Sequence, residues 1–526
     1  MATDGQGRHG AKTRTGCLTC KRRRVKCGLE RPSCARCVRA GRTCEGYQLS
    51  LVQEGLALPS KATTPPRLSS SSFLLSAFRA TQSEWQAYRF YSHRVASILG
   101  GAFDTELWQK QMLQVADTEP TVRNGIFAIG NLFKHGHNGA SDHASNCICT
   151  HCRQALRYYN KSILALSHSL QEPCTSQAAH VALLSCIIFI CLEFYRMNDS
   201  TGISLVSKGC SMVAEAMQNQ PASGRTWINP RLLKVFDRLW LLSSMFGYHL
   251  PKPSPNRSLL SPSARVPDFN NIEGARDSLH EILELVQDLR LRVYQAHWNS
   301  SSPEDLSMAT ASLQREQQIA LVLLETWQRN LEIVVAQQAM GSFQRSLAHL
   351  ILRVHYLITK IRASASLDPS EISHKDHLDD FNEIVVTAEE GLTRFPLKDE
   401  AASFSFEMSF LAPLYLTVLK CREPTIRRKA LELMRLTGAK EGLWHRSEVL
   451  CIAARVMELE EGITAFDLEE VLPEAANRWP TLFYDVLAGL NYRKAGKTHV
   501  DVVYLTYDAT CLQRFRGRGE TLVVEE

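Results

Sequence analysis

The sequence predicts a small cysteine-rich module at the N-terminal end, a large all-α domain behind it, and a short β-hairpin at the C-terminal end. Three observations carry that prediction. Six cysteines fall at regular spacing between residues 17 and 44. From about residue 73 to 465, segment after segment places apolar residues three and four apart, the period of a helix. From residue 498 the pattern changes to alternation, the period of a strand.

At 526 residues the chain has room for three or four domains and for a sizeable core. Its net charge of +6 hides an asymmetry. Residues 1–50 hold 12 Lys and Arg against 3 Asp and Glu; the rest holds 48 against 51. A basic block that coincides with a cysteine cluster points to a polyanion-binding surface rather than a solvated tail. The opening MATDGQGRHGAKTRTG has no apolar core of a secretory signal. The longest apolar run, residues 181–192, is shorter than the 20 or so residues that a bilayer requires, and reads as a buried helix. The expectation is an intracellular chain, where disulfides are disfavoured and the cysteines point to metal.

The cysteines are Cys17, Cys20, Cys27, Cys34, Cys37 and Cys44, spaced C-x2-C-x6-C-x6-C-x2-C-x6-C. One C-x2-C-x6-C half is thus written twice. Between Cys17 and Cys44 the apolar residues are only Leu18, Val25, Leu29, Ala35, Val38 and Ala40, too few to fold the stretch unaided. Thiolate–zinc bonds contribute on the order of 10–16 kcal/mol at neutral pH. Structural zinc takes four ligands in a closed tetrahedron, so six thiolates satisfy two ions only if two sulfurs bridge. A catalytic zinc would keep an open position beside a His or carboxylate ligand, and none stands at motif spacing here.

These residues resemble the fungal Zn2Cys6 binuclear-cluster transcription regulators. The likeness covers all six cysteines, the basic run Lys21–Lys26, Pro32 in the central loop, and the flanking RTGC and CEGY. The resemblance implies that Cys17, Cys20, Cys27 and Cys34 hold one Zn2+ while Cys34, Cys37, Cys44 and Cys17 hold the other. Cys17 and Cys34 are then the bridges. Pro32 falls where the family has a loop proline, often cis. Each half then reads as a short helix after its C-x2-C pair, the first carrying Lys21, Arg22, Arg23, Arg24 and Lys26. An Arg fork suits the O6 and N7 of guanine in the major groove. Family members insert this helix into double-stranded DNA at a CGG-like triplet. By position Arg23 and Arg24 approach base edges, and Lys21, Arg22 and Lys26 lie nearer phosphates. Arg36, Arg39 and Arg42 in the second half read as backbone contacts. The family most often has Lys where Arg24 stands, a departure that bears on which triplet is preferred.

The domain boundaries read as a disordered stretch 1–15, the zinc module 16–47, a flexible linker 48–72, an all-helical regulatory domain 73–497 and terminal strands 498–526. Pro59, Pro65, Pro66 and Ser69–Ser72 mark the linker. Leu49, Leu51, Val52, Leu56 and Leu58 keep no heptad, so a homodimer has no coiled coil after the cluster to rest on. A 3-4-3-4 register at Leu279, Ile282, Val286, Leu289 and Val293 spans about two heptads and reads as an amphipathic core helix. The Pro-rich stretch 251–267 is an internal loop. Segments such as ALRYYNKSI, FDRLWLLSSMFG and KEGLWHRSEVLCIAARVMELEE resemble the helical regulatory region of the same family. In the tail, 498–508 and 520–526 read as strands around Gly517 and Gly519. An isolated hairpin is marginal in water, so it is expected to pack on the helices.

A second cluster lies in HGHNGASDHASNCICTHC, residues 135–152. Its His143, Cys147, Cys149, His151 and Cys152 have the chemistry of a third zinc site or a redox switch. The spacing is not a familiar zinc pattern, and Gly, Asn and Ser mark a surface loop, which is the expectation. The other seven cysteines, Cys186 and Cys191 among them, read as small core residues. AGKT at 495–498 lacks the first glycine of a phosphate loop, position 491 being Asn. The acidic-hydrophobic stretch 457–474 reads as a helix end and a surface loop. No hydrolase, zinc-protease or dinucleotide fingerprint is present, so no enzyme is expected.

The expected protein is a nuclear, sequence-specific DNA-binding regulator of RNA polymerase II genes, acting through the transcription machinery or co-regulators. Its targets read as a metabolic, secondary-metabolite, gene cluster. The alternative is a zinc-cluster interaction scaffold that does not read DNA sequence.

Overall fold

The computed structural model describes residues 18–23, 25, 27, 34–42 and 44 of the N-terminal region. Beyond it, residues 80–524 are described except 138–146, 148, 172–175, 219–227, 254–268, 301, 338–342, 397–403, 463–482, 496 and 508–514. The chain divides into two compact units, Met1–Ser69 and Ser70–Glu526. The linker 48–72 and nearly all of the 251–267 loop lie outside the described residues.

In the second unit the helical expectation is met in order. The first helix, Gln82–Phe90, opens on a capping box: Glu84 N–H donates to Thr81 Oγ1, and the Glu84 carboxylate accepts from the Thr81 N–H at 2.8 Å. Such reciprocal capping satisfies two otherwise orphaned donors. A π-helical turn, Tyr91–Val95, carries that helix into Ala96–Gly100. Helices Pro120–His137 and Thr150–Ser169 then form an antiparallel hairpin. Ser162 Oγ donates to the Thr121 carbonyl at 2.6 Å, and Phe127 meets Tyr158 edge-on with centroids 5.4 Å apart. Contacts that climb one helix as they descend the other bring the end of the first beside the start of the second.

The Ser176–Tyr195 helix corrects the length argument made from sequence. The apolar run continues as helix on both sides, giving 20 residues with mean hydropathy 2.0, long and apolar enough to cross a membrane. Its burial among neighbouring helices, 78 % of the apolar window, makes it the core helix of this unit. The heptad-like register falls within one 28-residue helix, Ile272–Asn299, and all five of its apolar residues are buried. It pairs with the 35-residue helix Pro303–Gln337, where Trp327 Nε1 donates to the Ala275 carbonyl at 2.8 Å.

Among the described residues two sheets complete the unit. Strands β1 (Phe404–Ser405), β2 (Lys440–Glu441) and β3 (Trp444–His445) form a small sheet, β1 parallel and β3 antiparallel to β2. The terminal sheet holds β4 (Phe483–Ala488), β5 (Tyr492–Lys494), β6 (Lys497–Tyr507) and β7 (Phe515–Val524). Strand β6 is central: β7 pairs along it from Thr498↔Val524 to Tyr507↔Phe515, and β4 and β5 share its other edge. The sequence reading saw β6 and the end of β7, but placed β1 to β5 in the helical stretch and Gly517 and Gly519 between strands, whereas both glycines pair with β6 inside β7. Strand β6 alternates buried Val500, Val502 and Tyr504 with outward residues, whereas β4 and β5 carry no comparable alternation. The sheet packs on helix Arg446–Glu461, with Arg455 Nε 2.9 Å from Glu520 Oε1.

Candidate metal centre and nucleic-acid interface

In the N-terminal unit the repeat in sequence is a repeat in structure. Helix Leu18–Arg22 and helix Ala35–Arg39 are equivalent segments offset by seventeen residues. In the first half Val25 N–H donates to the Cys20 carbonyl at 3.1 Å; in the second, Arg42 N–H donates to the Cys37 carbonyl at 3.0 Å. Arg23 N–H to Thr19 and Ala40 N–H to Arg36 form a second matching pair. The same short helix and closing turn are therefore built twice, because the same cysteine spacing recurs.

Between the halves the described cysteines face inward. Cys20, Cys34 and Cys37 are fully buried, Cys27 is nearly so, and Cys44 and Val25 pack against them. The Cys20 and Cys34 sulfurs lie 3.6 Å apart and those of Cys20 and Cys37 3.8 Å. With zinc–sulfur bonds of about 2.3 Å, the edge of a tetrahedron is about 3.8 Å, so the Cys20–Cys34 pair fits ligation of one zinc ion; Cys37, which the resemblance assigns to the second ion, lies as close to Cys20 without sharing an ion with it. Cys34 also caps the second helix: its sulfur accepts the Cys37 N–H at 3.4 Å while its own N–H donates to Cys44 Sγ. Cys17, Arg24, Lys26 and Pro32 lie outside the described residues, as does the side chain of Lys21.

Outside the buried sulfurs the surface is basic. Arg22 and Arg23 at the end of the first helix are exposed, and so are Arg36, Arg39 and Arg42. Superposing the halves by their repeat pairs Arg22 with Arg39 but sets Lys21, Arg23, Arg24 and Lys26 against Val38, Ala40, Gly41 and Thr43. The two halves share a scaffold, and only the first carries the extra positive charge.

Described residues of the 135–152 stretch come together as a group. Cys149 caps helix Thr150–Ser169, accepting the Cys152 N–H at 3.3 Å. His135, in the last turn of Pro120–His137, brings Nδ1 within 3.4 Å of Cys149 Sγ and 3.8 Å of Cys147 Sγ. The group assembled is His135, Cys147, Cys149 and Cys152; His151 is not part of it, and His143 lies outside the described residues. The sequence reading named His151 because it is adjacent in the chain, yet it is the helix hairpin that selects His135. Burial raises the Cys149 thiol, but donation from the Cys152 and His151 backbone and hydrogen bonds from Cys147 and Cys152 outweigh it, leaving the thiol at about 7. Cys152 is pushed well up by burial, reinforced by Cys149 and Cys147.

Deeper in the helical unit, a cavity is lined by Phe103, Arg238, Arg276, His280, His355 and Glu407, among others. Its charges are matched internally: Arg238 and Arg276 both reach Asp104, at 2.5 and 3.2 Å, and both contact Glu407.

Comparison with known proteins agrees with this geometry. Residues 15–53 match the fungal Zn(2)-Cys(6) binuclear cluster domain, and residues 86–223 match the fungal specific transcription factor domain. The aspercryptin biosynthesis cluster-specific transcription regulator atnN of Emericella nidulans is 23 % identical over 243 residues, 42 % of this chain and 38 % of that protein. The transcription regulator lscL of Purpureocillium lilacinum is 26 % identical over 216 residues, 38 % of this chain and 48 % of that one. The transcriptional regulatory protein moc3 of Schizosaccharomyces pombe is 45 % identical over 58 residues, 11 % of each chain. The chain thus spans less than half the length of each of these curated relatives. No solved structure matches.

Proposed function

We propose that this chain, a fungal Zn(2)-Cys(6) cluster protein that also carries the helical transcription factor domain of such regulators, is a sequence-specific DNA-binding transcription regulator acting in the nucleus. The observation that carries the proposal is the asymmetry of an otherwise repeated module: two equivalent helices on one cysteine core, with the extra basic side chains on the first alone.

Cys17, Cys20, Cys27, Cys34, Cys37 and Cys44 hold the two zinc ions, with Cys17 and Cys34 shared between them. When bound, zinc supplies the folding energy that the few apolar residues cannot. The protein's own groups do the recognising. Helix Leu18–Arg22 enters the major groove by its C-terminal end, Arg23 and Arg24 reading guanine edges in a CGG-like triplet. Lys21, Arg22 and Lys26 set its register on phosphates, and Arg36, Arg39 and Arg42 hold the backbone beside it. One small module reads few base pairs, so specificity at a promoter rests on a second copy or a partner protein as well. The helical domain carries regulation by engaging the transcription machinery or co-regulators. The role that the Emericella relative's name gives it supports a secondary-metabolite gene cluster as the target.

The test is selection of binding sites from random duplex DNA with the zinc-loaded full chain, followed by a salt titration of the winner. Enrichment of a GC-rich triplet is expected. Binding without sequence preference would replace this reading with a scaffold that clamps polyanions.

A further inference from the structure

We propose that His135, Cys147, Cys149 and Cys152 form a third metal site, a closed Cys3His zinc centre within the helical unit and distinct from the N-terminal cluster.

Geometry is the first support. The four ligand atoms all lie within 4.8 Å of one another. The two nitrogen–sulfur separations, 3.4 and 3.8 Å, bracket the edge of about 3.6 Å that follows from zinc–nitrogen bonds of 2.0–2.1 Å and zinc–sulfur bonds of 2.3 Å. No two of the four residues are neighbours in sequence. The antiparallel hairpin that pairs Thr121 with Ser162 and Phe127 with Tyr158 delivers His135 to the start of the second helix, where the cysteines wait.

Chemistry is the second. Three thiolates and an imidazole are a soft donor set that selects zinc over magnesium, calcium or manganese. With Zn2+ the group carries one net negative charge, at the N-terminal end of a 20-residue helix, where the helix dipole favours it. N–H donors already point at two of the sulfurs: Cys149 N–H at Cys147 Sγ, 3.4 Å, and Cys152 N–H at Cys149 Sγ, 3.3 Å. His135 and Cys152 are buried, while Cys147 and Cys149 are partly exposed, so the site has a closed floor and an entry side. Four protein ligands complete the tetrahedron and leave no position for a substrate, which makes this a structural centre. It ties the end of Pro120–His137 and the chain entering Thr150–Ser169 into one rigid corner of the helical domain.

Metal analysis of the reduced full chain tests this. The expected contents are three zinc ions per chain for the native protein, two for Cys147→Ser/Cys149→Ser, and one for Cys34→Ser, which dismantles only the N-terminal cluster. Two ions in the native chain and none in Cys34→Ser would overturn the proposal while leaving the N-terminal cluster's own zinc assignment standing. Should the double variant fail to fold, alkylation of the native chain decides. Cys147, Cys149 and Cys152 are expected to resist iodoacetamide until a chelator is added, then react at least tenfold faster. Equal reactivity with and without chelator, or a disulfide between two of the three in place of zinc, would refute the site.

Discussion

The sulfurs of Cys20 and Cys34 lie 3.6 Å apart although fourteen residues separate them in the chain, a distance set by nothing in the apolar content of the module. Metal must hold them there. Chelation, or Cys34→Ser, is therefore expected to release both cluster ions together and abolish DNA binding, because Cys34 serves both halves in the proposed ligand set. Zinc content and gel-shift titration of the full chain check this. Loss of one ion with binding retained would show that the sulfurs are not shared.

On the proposed reading, Arg23 and Arg39 separate base reading from phosphate contact. Arg23→Ala is expected to cost about 1–3 kcal/mol on the selected site and to flatten the preference among triplets. Arg39→Ala should weaken all sequences alike and lower the salt slope by roughly 0.9. Binding isotherms at several salt concentrations on matched and mismatched duplexes distinguish the two; a uniform loss for Arg23→Ala would remove it from the base-reading set.

Inside the helical unit, Asp199 meets Lys440 Nζ and His445 Nε2, each at 2.5 Å, with all three side chains buried. Burial alone would raise the Asp199 carboxyl, but the Lys440 charge and the His445 and Lys440 hydrogen bonds outweigh it and hold it below the ordinary 3.8. An acid with a depressed folded-state value contributes stability that is present above its unfolded value and is lost as pH falls. Thermal stability is expected to drop as pH goes below about 4, and Asp199→Asn to lose roughly 3–5 kcal/mol at neutral pH by leaving Lys440 buried without its counter-ion. All eight tryptophans lie beyond residue 69, so their fluorescence reports this unit alone. A pH profile for Asp199→Asn as steep as the native one would exclude the carboxylate as the cause.

Gly130 sits where helix Pro120–His137 crosses Gln82–Phe90. A Cβ there would come within 2.4 Å of the Ala87 carbonyl oxygen, a backbone atom that has no rotamer to escape into. Gly130→Ala is expected to destabilise by about 1–3 kcal/mol through overpacking, despite alanine's better helix propensity. Chemical denaturation followed by tryptophan fluorescence measures it, and a stabilised variant would mean the helices separate freely.

Much of this architecture is legible in the chain because its causes are local. The recurring C-x2-C-x6-C half dictates two short helices and two closing turns, and the same seventeen-residue offset returns in their hydrogen bonds. Three-to-four periodicity marks the long helices, since one face of each must be apolar to be buried. What escaped is what depends on distant partners. Strands β4 and β5 are strands because β6 offers them an edge, not because their own residues alternate.

The amino-acid sequence by itself determined the metal-folded module, the placement of charge on its first half and the helical class of the rest, all set by spacing and composition within a few turns of chain. Only the tertiary structure decided that His135 rather than His151 joins Cys147, Cys149 and Cys152, and that a helix long enough to span a bilayer is instead a core. The reason is the same in both cases: a ligand set and a burial pattern are properties of what surrounds a residue, and packing, not adjacency in sequence, chooses the surroundings.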